Sequence, residues 1–296
     1  MTTIDAPREA AVSAAPVPAK RGRGHAGERA GVGTYIVLTL TAALFLFPFY
    51  FSLVAGSHPP ADLYDGSPPL LPGPGLFKNM GLALAQADLF QALGRSLVVA
   101  VVVTVATVFF CTMAGFAFAK LKFRGRNALF GITLATLTIP PTLGIVPLYV
   151  VMSKLGLVNN LASVILPAAV TAFGVFFMRQ FLTQALPDEL VEAAKVDGAS
   201  LTRTLFEIVF PIARPGMAVL GILSFMASWN DFLWPFIVVR NTPTIQVAVA
   251  SIQAGYTPDI SVILAGTVIA TVPLVIVTAI FGKQIVNGIT AGAVKG

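Results

Sequence analysis

The chain has 296 residues, of which 56% are hydrophobic and 11% charged, and its formal net charge is +6. Soluble globular domains carry about 25% charged residues, so this composition excludes an ordinary water-soluble enzyme and a disordered protein. The apolar runs are long enough to cross a bilayer, which indicates a polytopic membrane protein.

Residues 1–30 precede the first apolar run and are rich in Ala, Pro, Arg and Gly. Their apolar residues are mostly alanines without a helical stripe, and they lack the apolar core and cleavage site of a signal peptide. We predict a disordered cytoplasmic tail at 1–30, whose basic part, Lys20–Arg29, contacts anionic lipid. Residues 31–296 are then the membrane domain.

Six apolar runs follow, each close to the roughly 20 residues that a helix needs to cross the hydrocarbon core. Helices are expected because every backbone N–H and C=O must find a partner within the segment. The predicted spans are Tyr35–Leu53, Ser96–Ala119, Ala128–Val151, Leu161–Phe181, Ala213–Val239 and Val262–Phe281. The expected fold class is an all-α membrane protein with six transmembrane helices.

Orientation follows from the positions of Lys and Arg. The N-terminal tail, the alternate loops on the same side and the C-terminus hold 15 of these residues, against four on the opposite side. Because cytoplasmic segments carry the excess of Lys and Arg, both termini are predicted to be cytoplasmic. The one long external segment, 56–92, is expected to be extended and turn-rich because of its prolines: Pro59, Pro60, Pro68, Pro69, Pro72 and Pro74.

Two features are predicted inside the spans. Pro140, Pro141 and Pro147 interrupt span three and Pro273 lies in span six, where a proline makes either a static kink or a gate hinge. The small residues at the end of span two favour close approach of another helix, a packing role: Ala114, Gly115, Ala117 and Ala119.

Signatures of soluble catalysis are missing from the sequence. There is no P-loop, no H-E-x-x-H and no G-x-S-x-G, and the one G-x-G-x-x-G string, Gly22–Gly27, lies in the polar tail after no strand. The only cysteine, Cys111, and the two histidines, His25 and His58, exclude an intrachain disulfide and a histidine or cysteine metal cluster. We predict no catalytic residue, no metal and no cofactor in this chain.

The loop between spans four and five, 184–212, is the most informative stretch. Pro187 suits a helix start, and Gly198 suits the left-handed conformation that ends a helix. Ser200 then caps a second short helix, which Pro211 closes. Glu192, Ala193 and Ala194 present a flat surface with one charge. Spacing alone supports two interpretations, a docking surface for a partner and an amphipathic connector on the membrane.

The motif E-A-A-x-x-D-G-A, which begins at Glu192 and precedes Phe206, Ile208, Pro211 and Pro215, resembles the EAA loop of bacterial ABC importer permeases. More narrowly, the chain is similar to the second permease subunit of maltose-transporter-like carbohydrate importers. Similar motifs recur over about residues 33–296: Phe123–Arg126, Leu155–Leu157, Trp229–Pro235 and Gly288–Gly296.

This resemblance implies the type I ABC importer fold, in the bacterial cytoplasmic membrane. It also implies that the EAA loop docks on a cytoplasmic ATPase through Glu192, Ala193, Ala194, Asp197 and Gly198. The implied partners are a second permease, two ATPase subunits that bind ATP and Mg²⁺, and an extracytoplasmic sugar-binding protein, with membrane lipid around them and no nucleic acid.

Asp231 is the acidic residue deepest in an apolar run, next to Asn230 and between Trp229 and Trp234. A charge in hydrocarbon costs about 2.5–3.5 kcal/mol, so it normally marks a cavity or a partner. One interpretation places these four residues on the translocation pathway or its gate, where aromatic rings and polar groups suit a sugar. The other places Asp231 at the external interface, with both tryptophans in an interfacial belt.

The expected cargo is a di- or oligosaccharide. Three stretches resemble permeases for cellobiose and related β-glucosides: Phe173–Gln180, Ser261–Gly266 and Phe281–Gln284. The alternative is a secondary transporter driven by an ion gradient, which usually shows ionisable residues along several spans or two related halves. Here Asp231 is the obvious one, and the EAA loop would be unexplained.

Overall fold

The computed structural model describes residues 31–64, 68–254 and 259–293, with side chains described as far as residue 282. The tail predicted at 1–30 lies outside these residues. The described part is helical and holds no β-strand; its α-helices are, in chain order, α1 Val32–Ala55, α2 Pro60–Tyr64, α3 Leu76–Gln86, α4 Leu89–Lys120, α5 Arg126–Thr136, α6 Ile145–Lys154, α7 Ala162–Ala168, α8 Ala172–Ala185, α9 Asp188–Val196, α10 Leu201–Thr204, α11 Phe210–Trp229, α12 Leu233–Val238, α13 Ile245–Gln253 and α14 Ile260–Ala293.

The chain divides into two units, residues 1–47 and 48–296. The described part of the first unit is the beginning of α1, and Pro48 stands inside that helix at the division. The second unit holds the end of α1 and all the helices from α2 to α14.

The all-α membrane fold is confirmed. Five helical stretches of the described chain are long and apolar enough to cross a membrane: Val32–Ala55, Leu89–Lys120, Ala162–Ala185, Leu201–Trp229 and Ile260–Gly282. The predicted third span corresponds to a sixth candidate, which is a pair of helices bent by 96°.

The bend in the third span lies where the prolines predict it, between α5 and the 3₁₀ turn Pro141–Gly144 that leads into α6. Pro140 has ψ 127° and so leaves the helical conformation. Proline nitrogens donate no hydrogen bond. The hydroxyls just before the bend donate to carbonyls of the last helical turn, Thr136 to Thr133 at 2.7 Å and Thr138 to Ala135 at 2.8 Å.

The predicted end of span five, Val239, is wrong. The helix ends at Trp229, and α12 begins separately at Leu233. The Asn230 N–H donates to the Met226 carbonyl at 3.1 Å and closes α11. Asp231 and Phe232 then lie outside the helices although the sequence stays apolar.

Helix α4 is at the centre of the second unit and contributes to three buried clusters. Leu89 and Ala100 pack with α11, α13 and α14, and Cys111 packs with α8 and α11. Val99 and Val103 pack with α7 and with the end of α12. Hydrophobic burial around one long helix therefore positions the helices that line the cavity described below.

The small-residue face predicted on span two is a packing face at Gly115, where α4 crosses α8. A Cβ on Gly115 would lie 2.7 Å from the Met178 Cβ and 2.8 Å from the Arg179 backbone nitrogen. Only a residue without a side chain allows the two backbones to approach this closely.

The segment 56–92 is not extended throughout, contrary to the expectation from its prolines. It contains α2, which begins at Pro60, and α3. The 11 residues of α3 contain no proline, and Ala83 is buried in the cluster that includes Val262 of α14. Tertiary packing thus decides the structure here, while neither helix is long enough to be another span.

His58 contacts two other parts of the segment 56–92. The His58 Nε2 lies 2.9 Å from the Leu71 carbonyl oxygen and the Nδ1 lies 3.2 Å from the Asp62 carboxylate. The bond to the Leu71 carbonyl, and then the Asp62 carboxylate, raise the pKa of His58. Both contacts are strongest when both ring nitrogens carry protons.

We expect the segment to be held more firmly at pH 6 than at pH 8.5. Because the folded-state pKa is raised, the stabilisation is complete below the ordinary value of about 6.5 and is lost as the pH rises through the raised value. Limited proteolysis of the purified chain between pH 5.5 and 8.5 measures this. His58→Gln should remove the dependence, and an unchanged pH profile in that variant would contradict the assignment.

Candidate functional site

The loop 184–212 folds as its capping residues predict. Helix α9 begins at Asp188, directly after Pro187, with Asp188 and Glu189 in its first turn. Gly198 has φ +72°, the left-handed conformation, and a Cβ there would meet nothing within 4 Å. The Ser200 hydroxyl accepts a hydrogen bond from the Arg203 backbone N–H at 3.2 Å, so it caps α10.

The loop departs from its prediction at Pro211. We expected Pro211 to close the second short helix, but the chain continues from α10 through a π-turn, Leu205–Val209, directly into α11. Pro211 is the second residue of α11 and so lies inside one continuous helical stretch, Leu201–Trp229. The π-turn is the irregular element that joins loop and span, and such turns are frequent at functional sites.

Helix α9 has one face towards the body of the protein and one away from it. Glu192, Ala193, Asp197 and Gly198 are exposed. Ala194 is buried, at 6% exposure, so it packs α9 against its own chain and does not continue the flat outer surface that we predicted for it.

Large apolar side chains of the same loop are also exposed. Val196 is 86% exposed, Leu201 56% and Phe206 51%. An exposed apolar patch with a polar rim is typical of a protein–protein contact. In a membrane protein such exposure suits both interpretations of the loop, a docking surface and an amphipathic connector on the membrane.

An ion pair joins the first turn of α9 to the end of α4. The Lys120 Nζ, at the end of α4, lies 2.6 Å from Asp188 Oδ1. The hydrogen bond and charge of Lys120 lower the pKa of Asp188, with a smaller contribution from Lys122. Sequence reasoning missed this pair, because residues 68 positions apart carry no local signal for their contact.

The two tryptophans around Asp231 are structural anchors. Trp229 is 2% exposed, stacks on Phe225 at 5.8 Å and donates its indole N–H to the Ala270 carbonyl at 3.1 Å. Trp234 donates its indole N–H to the Ser163 carbonyl at 2.9 Å. They pin the break between α11 and α12 to α14 on one side and to α7 on the other.

Asp231 and Asn230 point to different surroundings. Asn230 is exposed and donates to the Met226 carbonyl of its own helix at 2.8 Å. Asp231 lines a cavity of about 530 Å³ between α4, α7, α8 and α11. Of the four residues predicted for the pathway, Asp231 is the one that lines this cavity.

Four hydroxyls share the cavity with Asp231: Thr107, Thr171, Ser224 and Ser228. Phe173 adds an aromatic ring, and the rest of the lining is mainly apolar. Small-molecule sites are typically of this size, mostly apolar with a few placed polar groups. Sequence reasoning did not single out the two serines, although their spacing of four places both on one helix face with Asp231 three residues further on.

Among the residues that the structure describes, no three His, Cys, Asp or Glu side chains are grouped as a metal ion would need. The described residues offer two candidate functional surfaces. One is the exposed face of α9, which suits a partner, and the other is the cavity of Asp231, whose polar groups can accept hydrogen bonds from hydroxyl groups.

Comparison with known proteins gives a consistent result. Residues 111–290 match the family model described as the binding-protein-dependent transport system inner membrane component. The chain is 35% identical over 260 residues to the arabinooligosaccharides transport system permease protein AraQ of Halalkalibacterium halodurans, covering 86% of this chain and 93% of that protein. It is 33% identical to the lactose transport system permease protein LacG of Rhizobium radiobacter, covering 88% and 95%.

A solved structure shares the fold. A chain of a bacterial ABC transporter involved in the import of the acidic polysaccharide alginate superposes with a TM-score of 0.74 at 22% identity. The match covers 86% of this chain and 95% of that one. The ABC importer permease fold expected from the sequence is confirmed.

Proposed function

We infer the function of this chain from the family to which it belongs, the binding-protein-dependent transport system inner membrane components. It is a multi-pass inner-membrane permease subunit of a sugar ABC importer. It is not an enzyme, because this family transports and ATP hydrolysis belongs to a separate subunit. The observation that carries this conclusion is that the match, 111–290, contains both the loop 184–212 and Asp231 of the cavity.

The loop 184–212 is the contact with the ATPase. Exposed Glu192 and Ala193, with exposed Val196, Leu201 and Phe206 in the same loop, support this assignment. With the loop on the ATPase side, both termini are cytoplasmic, in keeping with the distribution of Lys and Arg.

The partners are those on which such permeases generally depend. A second permease completes the pathway, two ATPase subunits bind ATP and Mg²⁺, and an extracytoplasmic binding protein delivers the sugar. Closure of the ATPases then moves the spans between inward-facing and outward-facing states around a site within the membrane.

The cargo is a di- or oligosaccharide, such as a cellobiose-type β-glucoside. The substrates that name the two relatives, arabinooligosaccharides and lactose, support this class. The cavity also supports it, since its hydroxyls and its carboxylate accept hydrogen bonds from sugar hydroxyls.

Reconstitution of the complete importer in liposomes tests the function. With the second permease, the ATPase and the binding protein present, we expect ATP hydrolysis to rise when cellobiose, lactose or an arabinooligosaccharide is added. Sugar uptake that follows an ion gradient and needs no ATP would overturn the proposal and establish a secondary transporter.

In the same liposomes, Asp231→Asn tests the cavity. Asparagine has nearly the size and shape of aspartate, so the substitution removes the charged acceptor and little else. Hydrogen bonds to charged groups contribute about 1.5–3 kcal/mol, so we expect transport to fall roughly tenfold or more. Asp259→Asn is the matched control, because it makes the same substitution at the start of α14, where Asp259 Oδ1 accepts from the Ser261 N–H at 2.9 Å, and Asp259 does not line the cavity. Equal transport by both variants would remove Asp231 from the pathway.

A further inference from the structure

In the part of the chain that the structure describes, three ion pairs are present, and one of them joins residues that are distant in sequence. His58–Asp62 and Arg203–Glu207 are separated by four residues and lie within one turn. Lys120–Asp188 connects the last residue of α4 to the first residue of α9. It therefore bridges the proposed ATPase-docking helix and the central helix of the bundle.

The two partners differ in exposure. The Lys120 side chain is 6% exposed and that of Asp188 is 75% exposed. A nearly buried ammonium ion without a partner is strongly unfavourable, so Lys120 draws Asp188 to itself. The first turn of α9 is thereby held to α4 by a directional contact of 2.6 Å.

The other described contacts of α9 with the body are apolar. Leu186, just before α9, is 1% exposed, and Val191 packs on the same cluster, which holds residues of α4, α8 and α11. Apolar contact is non-directional, whereas the ion pair has a defined direction. Within the described chain the ion pair is therefore the polar link by which a displacement of α9 pulls on α4.

Helix α4 continues from Lys120 to the cavity of Asp231. Val103 and Thr107 of α4 line that cavity, and the Thr107 hydroxyl donates to the Ala168 carbonyl at 2.9 Å. Further along, the Ser96 hydroxyl accepts from the Ile245 N–H at 2.7 Å, in a buried position. Movement at Lys120 is therefore delivered to the cavity wall and to α13 through one continuous helix.

We propose that the Lys120–Asp188 pair is the positioning link that transmits movement of the docked α9 to α4 and so to the sugar cavity. The inference rests on the proposed function and adds to it the route by which ATP-driven closure reaches the pathway. Lys120 and Asp188 act through other groups and contact neither sugar nor nucleotide.

The test compares sugar transported per ATP hydrolysed in the reconstituted importer, normalised to assembled complex. For Asp188→Asn and Lys120→Met we expect this ratio to fall about fivefold or more, the lower end of usual coupling factors. Lys120→Met also removes the buried charge, so this variant folds without an unpaired ammonium. Exchange of the charges, Lys120→Glu with Asp188→Lys, should restore the ratio. Asp62→Asn, which breaks the pair with His58 in the segment 56–92, outside the loop 184–212, is the control and should leave it unchanged.

Two results overturn the link. One is an unchanged ratio in Lys120→Met, and the other is a lower thermal midpoint in both single variants with a normal ratio, which identifies a merely structural pair. The docking role has its own readout: Glu192→Lys that transports normally contradicts the proposed function, whereas normal coupling in Asp188→Asn beside an inactive Glu192→Lys contradicts the link alone.

Discussion

Glu192→Lys is expected to abolish transport while the chain remains folded in the membrane. Glu192 is exposed on α9, so the substitution removes no packing of the chain itself. In the proposed docked state the carboxylate pairs with a basic residue of the ATPase. Breaking a desolvated pair at an interface costs about 2–5 kcal/mol of binding free energy, and the lysine adds repulsion to that loss. The measurement is co-purification of the ATPase with the tagged permease, together with sugar uptake.

The matched control is Glu189→Lys, the same charge reversal on the same helix. Glu189 is also exposed but lies in the first turn of α9, where its loss weakens the helix by about 0.3–1 kcal/mol. We expect the Glu189 variant to keep the ATPase bound. Normal uptake by Glu192→Lys, or equal loss of binding in both variants, would contradict a specific docking role for Glu192.

The sequence predicts much of this loop because its signals are local. Gly198 adopts the left-handed conformation and the Ser200 hydroxyl caps α10, as expected. Both depend on backbone groups within three residues. The pairing of Lys120 with Asp188 depends on how α4 and α8 pack, and no local pattern contains that information.

The breaks in spans three and five also differ in how far the local sequence predicts them. The bend after α5 follows from Pro140 and Pro141 themselves, so the sequence indicates it. The break at Asp231 lies in a run that stays apolar through Phe232, Leu233 and Trp234, so hydropathy extends the span across it. The position of the break depends on hydrogen bonds that a hydropathy pattern does not contain. One of them runs from the Asn159 N–H to the Val238 carbonyl at 2.7 Å and fixes the end of α12.

For the cavity, the sequence identifies Asp231 by the cost of its charge, while the surrounding hydroxyls come from three separated parts of the chain. Serine and threonine are ordinary in membrane helices, where they bond to their own backbone. Only the folded arrangement of α4, α8 and α11 brings Thr107, Thr171 and Ser228 to one space. A binding role for any of them becomes visible at the tertiary level.

Gly115→Val is expected to prevent accumulation of the folded permease, and Gly115→Ala to lower its thermal stability. The first added carbon would lie 2.7 Å from the Met178 Cβ and 2.8 Å from the Arg179 backbone nitrogen. Backbone cannot move aside as a flexible side chain does, so α4 and α8 must separate along a contact that includes buried Cys111 and Met178. Overpacking a well-packed core typically costs about 1–3 kcal/mol of stability, and we expect Gly115→Val to lose at least this much.

Gly94→Ala on the same helix provides the control of opposite sign. A Cβ on Gly94 would meet nothing within 4 Å, and alanine is favoured over glycine inside a helix by about 1 kcal/mol. The thermal midpoint of the purified chain in detergent should therefore rise or stay level for Gly94→Ala and fall for Gly115→Ala. If both variants behave alike, the close approach of α4 and α8 at Gly115 does not limit stability, and the small-residue face of span two has another purpose.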